Sequence, residues 1–244
     1  MNKKKIFVIA LAVCLLATVS FSTLAWFNAA DRVENKFYVA DSNGDGAPNF
    51  SIDVFEQKAD ENGKPVFSGG YWPKPEFTEG EEGNTYKNIL PGDVLSKNVF
   101  VRNTGDYEQW VRVHVTFSDS AVWQQAIAKA AEAEGMKFDD YVTEKLLGGL
   151  QGYTQAVCSF NAYGADTMTY TFYMTKILNA KETVNLMKTV NIPSVLEQED
   201  MNFGKDGFTI EILAEAVQVR NLKAQNAANA FDEVNWEIGA KYGE

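Results

Sequence analysis

The sequence predicts a mainly β protein: a two-sheet antiparallel sandwich carrying one helical insertion. Three observations point there. Apolar and polar residues alternate in several short runs, turn-forming residues separate those runs, and a single long stretch has helical spacing instead. Apolar residues make up 45% of the chain and aromatic ones 13%, enough to build a substantial core and too much for a disordered polymer.

Phe50, Ile52 and Val54 alternate with Ser51 and Asp53, the mark of a strand with one buried face. Residues 67–83 are rich in glycine, proline and acids and read as a long exposed loop. Leu90-Pro91-Gly92-Asp93 fits a type II turn, proline presetting the first central position and glycine taking positive φ at the second. Val99 and Val101 flank Phe100 in the next strand, and Asn103-Thr104-Gly105-Asp106 closes it. Val111, Val113, Val115 and Phe117 alternate with Arg112, His114 and Thr116, which predicts a half-buried strand.

The helical insertion covers about residues 120–147. Val122, Ala126, Ile127, Ala130 and Ala131 recur at helical spacing, and Gly135 is expected to break the helix in two. Residues 153–160, 167–178 and 181–190 read as further strands. A last one alternates Phe208, Ile210, Ile212, Ala214 and Ala216 with polar neighbours, and a short helix is expected at 222–230.

The N-terminus has the layout of a secretory leader. Lys3, Lys4 and Lys5 precede an uncharged apolar run at 6–18, and Thr23 and Ala25 supply small residues before a cut between Ala25 and Trp26. Two other readings stand beside it: an uncleaved anchor, with the apolar run counted through Phe27, and lipidation at Cys14. Cleavage would remove three lysines and take the net charge from −11 to −14. Such a charge opposes nucleic acid and anionic lipid as partners. It would also leave Cys158 alone, with no disulfide and, from its strand-like context, as a buried inert thiol.

Catalytic patterns are sparse. The chain has one histidine, His114, where a common zinc peptidase needs two histidines one helical turn apart and a glutamate base. His114 is expected on the surface or second face of its strand. No nucleophile elbow or glycine-rich phosphate loop occurs. The sharpest ligand pattern is Asp41-Ser42-Asn43-Gly44-Asp45-Gly46, the first half of a calcium loop, with Asp41, Asn43 and Asp45 as weak calcium candidates. Ile52 stands where the bidentate glutamate would belong, so a plain Asx turn is the competing reading.

Three blocks resemble the TasA/camelysin family of secreted Gram-positive proteins. They are Leu24-Ala25-Trp26-Phe27-Asn28 at the leader junction, the Pro91-Gly92-Asp93 turn with the strands through Asn103-Thr104-Gly105 and Phe117, and the closing strand at Ala214-Glu215-Ala216-Val217-Gln218. The resemblance implies a jelly-roll-like sandwich, export by a dedicated signal peptidase, and a place in the biofilm matrix or on the cell surface. It also implies fibres in which an N-terminal segment lends a strand to a neighbour. Phe37-Tyr38-Val39-Ala40 has the strand character to be that donor. The expected partners are further copies of the chain and matrix or cell-wall components, with no stable membrane span after cleavage. A secreted hydrolase, as camelysin relatives have been labelled, and a non-polymerising adhesin are the alternatives.

Overall fold

The strongest alternation in the sequence becomes β8 (Gln109–Phe117) in the computed structural model, which describes residues 28–34, 50–78, 82–201, 203, 207–220 and 222–239. Its neighbours build a six-stranded sheet. Across that sheet run β10 (Tyr153–Phe160), β11 (Met168–Met174), β8, β13 (Phe208–Gln218), β1 (Asn28–Glu34) and β6 (Glu82–Lys87). The second sheet runs β5 (Phe77–Thr78), β2 (Ile52–Gln57), β7 (Val94–Asn103), β12 (Thr183–Asn191) and β9 (Leu147–Gly148). Every pairing is antiparallel except β1 with β13, which is parallel.

The main core lies between the sheets. Val111, Val113, Val115 and Phe117 of β8 and Phe208, Ile210, Ile212, Ala214 and Ala216 of β13 meet Ile52, Val54, Val99 and Val101 from the second sheet. β8 departs from the half-buried expectation, because all nine of its residues are buried. A second apolar cluster covers its other face: Trp110, Tyr173 and Val217 of the sheet pack under Ala227, Ala230 and Phe231 of a helix, α3 (Ala227–Glu233), and under Trp236. The polar half of the alternation therefore faces a covering layer, not water.

The insertion is helical. In α1 (Ser120–Glu134) the buried residues Trp123, Ala126, Ile127, Ala130 and Ala131 share one face. Trp123 is the anchor, its ring centroid 5.2 Å from those of Phe117 and Phe203 and 4.9 Å from that of Phe208. Gly135 ends the helix at φ 66°, a left-handed cap that costs other residues a Cβ clash. A short helix α2 (Phe138–Tyr141) and a π-helical turn at Val142–Leu146 lead to β9.

The stretch 67–83 is not one open loop. β3 (Phe67–Ser68) and β4 (Lys74–Pro75) form a hairpin, Phe77–Thr78 joins the edge of β2 as β5, and β6 begins at Glu82. Gly69 and Gly70 sit at the hairpin tip, so they mark a turn inside the segment. The Leu90–Asp93 turn has the expected form, with Gly92 at φ 90° and the Asp93 N–H donating to the Leu90 carbonyl at 3.0 Å. Among the described residues no helix is long and apolar enough to cross a membrane.

Candidate functional site

β1 is a seven-residue insert in a slot. On one side it runs parallel to β13, with Ala29 beside Phe208 and Glu34 beside Leu213. On the other it runs antiparallel to β6, with Asn28 beside Lys87 and Arg32 beside Glu82, and the register shifts between Ala30 and Arg32. At ordinary strand spacing, β13 and β6 stand about 10 Å apart around it. Its sequence, Asn-Ala-Ala-Asp-Arg-Val-Glu, has one β-branched residue and no aromatic one. Propensity does not make this a strand; two free ladder edges do.

β6, the outer wall of the slot, has its own anchor in the second sheet. Asn84 Nδ2 donates to Glu56 Oε1 at 2.6 Å and to the Gln57 carbonyl at 2.9 Å, while its Oδ1 accepts from Ala59 N–H at 2.7 Å. The Tyr86 hydroxyl donates to Glu56 Oε1 at 3.1 Å and also contacts the Ser96 carbonyl. Lys97 Nζ on β7 lies 3.1 Å from Glu56 Oε2, with both side chains fully enclosed. Burial pushes the Glu56 carboxyl up to about 8, against the hydrogen bonds from Asn84 and Tyr86, and pushes the Lys97 amine well down. Such a cluster is costly to break, because losing one member strands another in low dielectric.

The sole histidine sits in a second buried cluster, under the C-terminal layer. His114 projects from the polar face of β8, as its alternation with the valines requires, but it is completely buried and not a surface residue. Its Nε2 lies 3.0 Å from Glu215 Oε2 and its Nδ1 2.8 Å from Thr171 Oγ1. An ionised carboxylate only accepts, so Nε2 carries the proton. Arg112 Nε donates to the same Glu215 oxygen at 2.6 Å. Its other nitrogens donate to the carbonyls of Trp236 at 2.9 Å and Glu237 at 3.2 Å, with the guanidinium 4.2 Å from the Phe231 ring centroid. Burial would raise the Glu215 carboxyl, but the hydrogen bond and charge of His114, with those of Arg112, hold it below its ordinary value. The arrangement pins the C-terminal segment to the sheet, with both imidazole nitrogens engaged.

Ala25 and Trp26 of the leader junction, Phe37, Tyr38, Val39 and Ala40 of the expected donor strand, and Asp41, Asn43 and Asp45 of the calcium candidate all lie outside the described residues. The strand the structure does show is nearer the expected cut, beginning at Asn28. Cys158 is half-buried on the edge strand β10, not enclosed as its sequence context suggested, and burial raises its thiol pKa. Among the described residues no group of three or more His, Cys, Asp or Glu side chains is placed to hold a metal. Comparison with known proteins finds no matching family, no matching curated protein and no matching solved structure.

Proposed function

We propose that this is an exported structural protein of the cell surface or extracellular matrix, cut after Ala25, whose N-terminal strand can be exchanged between copies. Its leader and its resemblance to the TasA/camelysin proteins motivate the reading. Successive strands β6, β7 and β8, and again β11, β12 and β13, alternate between the two sheets, which supports a jelly-roll assignment within that reading.

The slot around β1 carries the proposal. β6 is tied to the second sheet through Asn84, Tyr86 and Glu56, and β13 is tied to β8 along nine residue pairs, so both walls have supports that do not involve β1. β1 is paired along both edges, and a strand so paired is replaceable by the same strand from another copy, since the ladder groups are identical. β1 begins three residues after Ala25, so cleavage would free its end. The fifteen residues 35–49 that follow span up to about 50 Å when extended, enough to carry β1 to a neighbour.

The test compares the chain beginning at Trp26 with one beginning at Lys36, by light scattering and electron microscopy between pH 4 and 7. The longer chain should assemble, and more readily with salt or acid that weakens the repulsion of a −14 charge. The shorter chain should lose that strand-linked assembly and bind a peptide of residues 26–35. If the two behave alike, strand exchange is wrong.

A further inference from the structure

The β3–β4 hairpin ends in two aromatic rings that touch almost nothing of their own chain. Tyr71 is 95% exposed and Trp72 77%, their ring centroids 5.8 Å apart and nearly perpendicular. Large exposed aromatics side by side on a soluble protein mark an interaction surface. The base of the hairpin is well defined. Lys58, just past β2, donates its N–H to the Glu76 carbonyl at 2.7 Å and accepts from Val66 N–H at 2.8 Å. The aromatic tip is therefore held out from one end of the sandwich, continuing the line of β2.

At the other end of β2 lies an apolar cavity of about 730 Å³. Phe50, Val217, Leu222, Val234 and Trp236 supply its apolar walls, and Arg220 stands at its edge. Val234 is 42% exposed, so the cavity opens to solvent. From Phe50 to Lys58 the strand direction covers about 26 Å, which sets knob and cavity at opposite ends of one subunit. Charge adds to the fit. Exposed Lys74 stands two residues from Trp72 on the hairpin, and exposed Glu237 lines the cavity.

We propose that the Tyr71–Trp72 knob of one copy seats in the cavity between the end of β13 and the 234–237 segment of the next, forming a head-to-tail contact. A contact between two different surfaces at opposite ends does not close on itself and propagates as a filament. Trp72 would stack on Trp236 with Arg220 placed for a cation–π contact, and Lys74 would meet Glu237. Two aromatic side chains bury about 300–500 Å² on the knob side, below the roughly 800 Å² per partner of a stable interface. The contact is thus weak alone and acts by repetition along a row. It rests on the self-assembly reading above but not on strand exchange.

The test uses two variants of the chain beginning at Lys36 with its slot filled by a peptide of residues 26–35, so that strands cannot be exchanged between copies. Tyr71→Ala with Trp72→Ala removes the knob, and Val234→Arg blocks the cavity; both changes lie at exposed positions, and unchanged melting temperatures confirm folding. Each variant alone should associate at least about 30-fold more weakly than the parent by sedimentation. An equimolar mixture should regain parent-like affinity and stop at 1:1 dimers, since one chain then offers only a cavity and the other only a knob. If the parent assembles and the variants assemble equally well, the knob contact is wrong while self-assembly stands. If the parent stays monomeric, the knob contact is wrong, and assembly of the chain beginning at Trp26 decides strand exchange separately. A Val234→Arg chain that melts earlier yet associates normally would show the cavity filled by its own chain, which also overturns the contact.

Discussion

Replacing Glu215 with glutamine would remove the one carboxylate that faces both Arg112 and His114, while keeping the shape of the side chain. Arg112 is 1% exposed, so its guanidinium would be left charged in a dry site. Breaking a buried pair in this way costs about 3–5 kcal/mol. Arg112 would keep the carbonyls of Trp236 and Glu237 and the faces of Phe231 and Trp236. The loss should therefore fall near about 3 kcal/mol, or about 6–12 °C in melting temperature for a chain of this size. Because the folded Glu215 carboxyl is held below its ordinary value, its contribution is present above pH 4.5 and is lost as pH falls through the folded value. The gap between wild type and Glu215→Gln should narrow accordingly below pH 4.5. Urea denaturation at pH 7, 5 and 3.5 measures both effects, and amide exchange at residues 234–239 should report the release of the C-terminal segment first. A variant within 0.5 kcal/mol of wild type at pH 7, the ordinary range for a neutral surface change, would refute the account of this cluster.

Lys97→Met should leave Glu56 without a cation in the core. The folded Glu56 carboxyl, raised to about 8, contributes fully below its unfolded value and loses that contribution as pH rises through the folded one. The Lys97 amine, held low by burial, costs wild type stability as pH falls; without that amine the variant should gain on wild type from pH 8 down to pH 5 in thermal melts. Trp123→Ala should cost about 3–5 kcal/mol by emptying the contact between α1 and the core. Trp123→Phe should cost much less, because the buried indole N–H has no hydrogen-bond partner among the described residues to lose; equal losses in denaturant titrations would contradict that. N-terminal sequencing of the exported protein should begin at Trp26, and an intact Met1 would remove the basis for a freed strand.

How much was legible depends on how local the cause is. The alternation at Val111, Val113 and Val115 and the helical spacing at Ala126, Ile127, Ala130 and Ala131 announce their elements, because each reflects one face turned to the core. Gly92 and Gly135 announce a turn and a helix end, because positive φ selects glycine. β1 was illegible. Phe37-Tyr38-Val39-Ala40 carries the propensity, yet Asn28–Glu34 is the segment seen paired, since pairing groups on β13 and β6 reward any backbone that reaches them.

The polar residues of β8 show the same division. Read alone, Arg112, His114 and Thr116 are the solvent side of an amphipathic strand. Only the return of α3 and Trp236 over that face, more than a hundred residues later, turns Arg112 and His114 into an enclosed cluster with Glu215, while Thr116 pairs with Thr169. Likewise Glu56 and Lys97 sit on inward positions of β2 and β7, where periodicity alone expects apolar side chains, and it is the packing of β6 against them that supplies their partners. By itself, then, the sequence determined a β-rich chain with a helical insertion, because backbone periodicity and turn stereochemistry act over a few residues. Tertiary structure decided which polar groups are buried, what neutralises them and which strand fills the slot, because those outcomes depend on contacts between segments that no local pattern encodes.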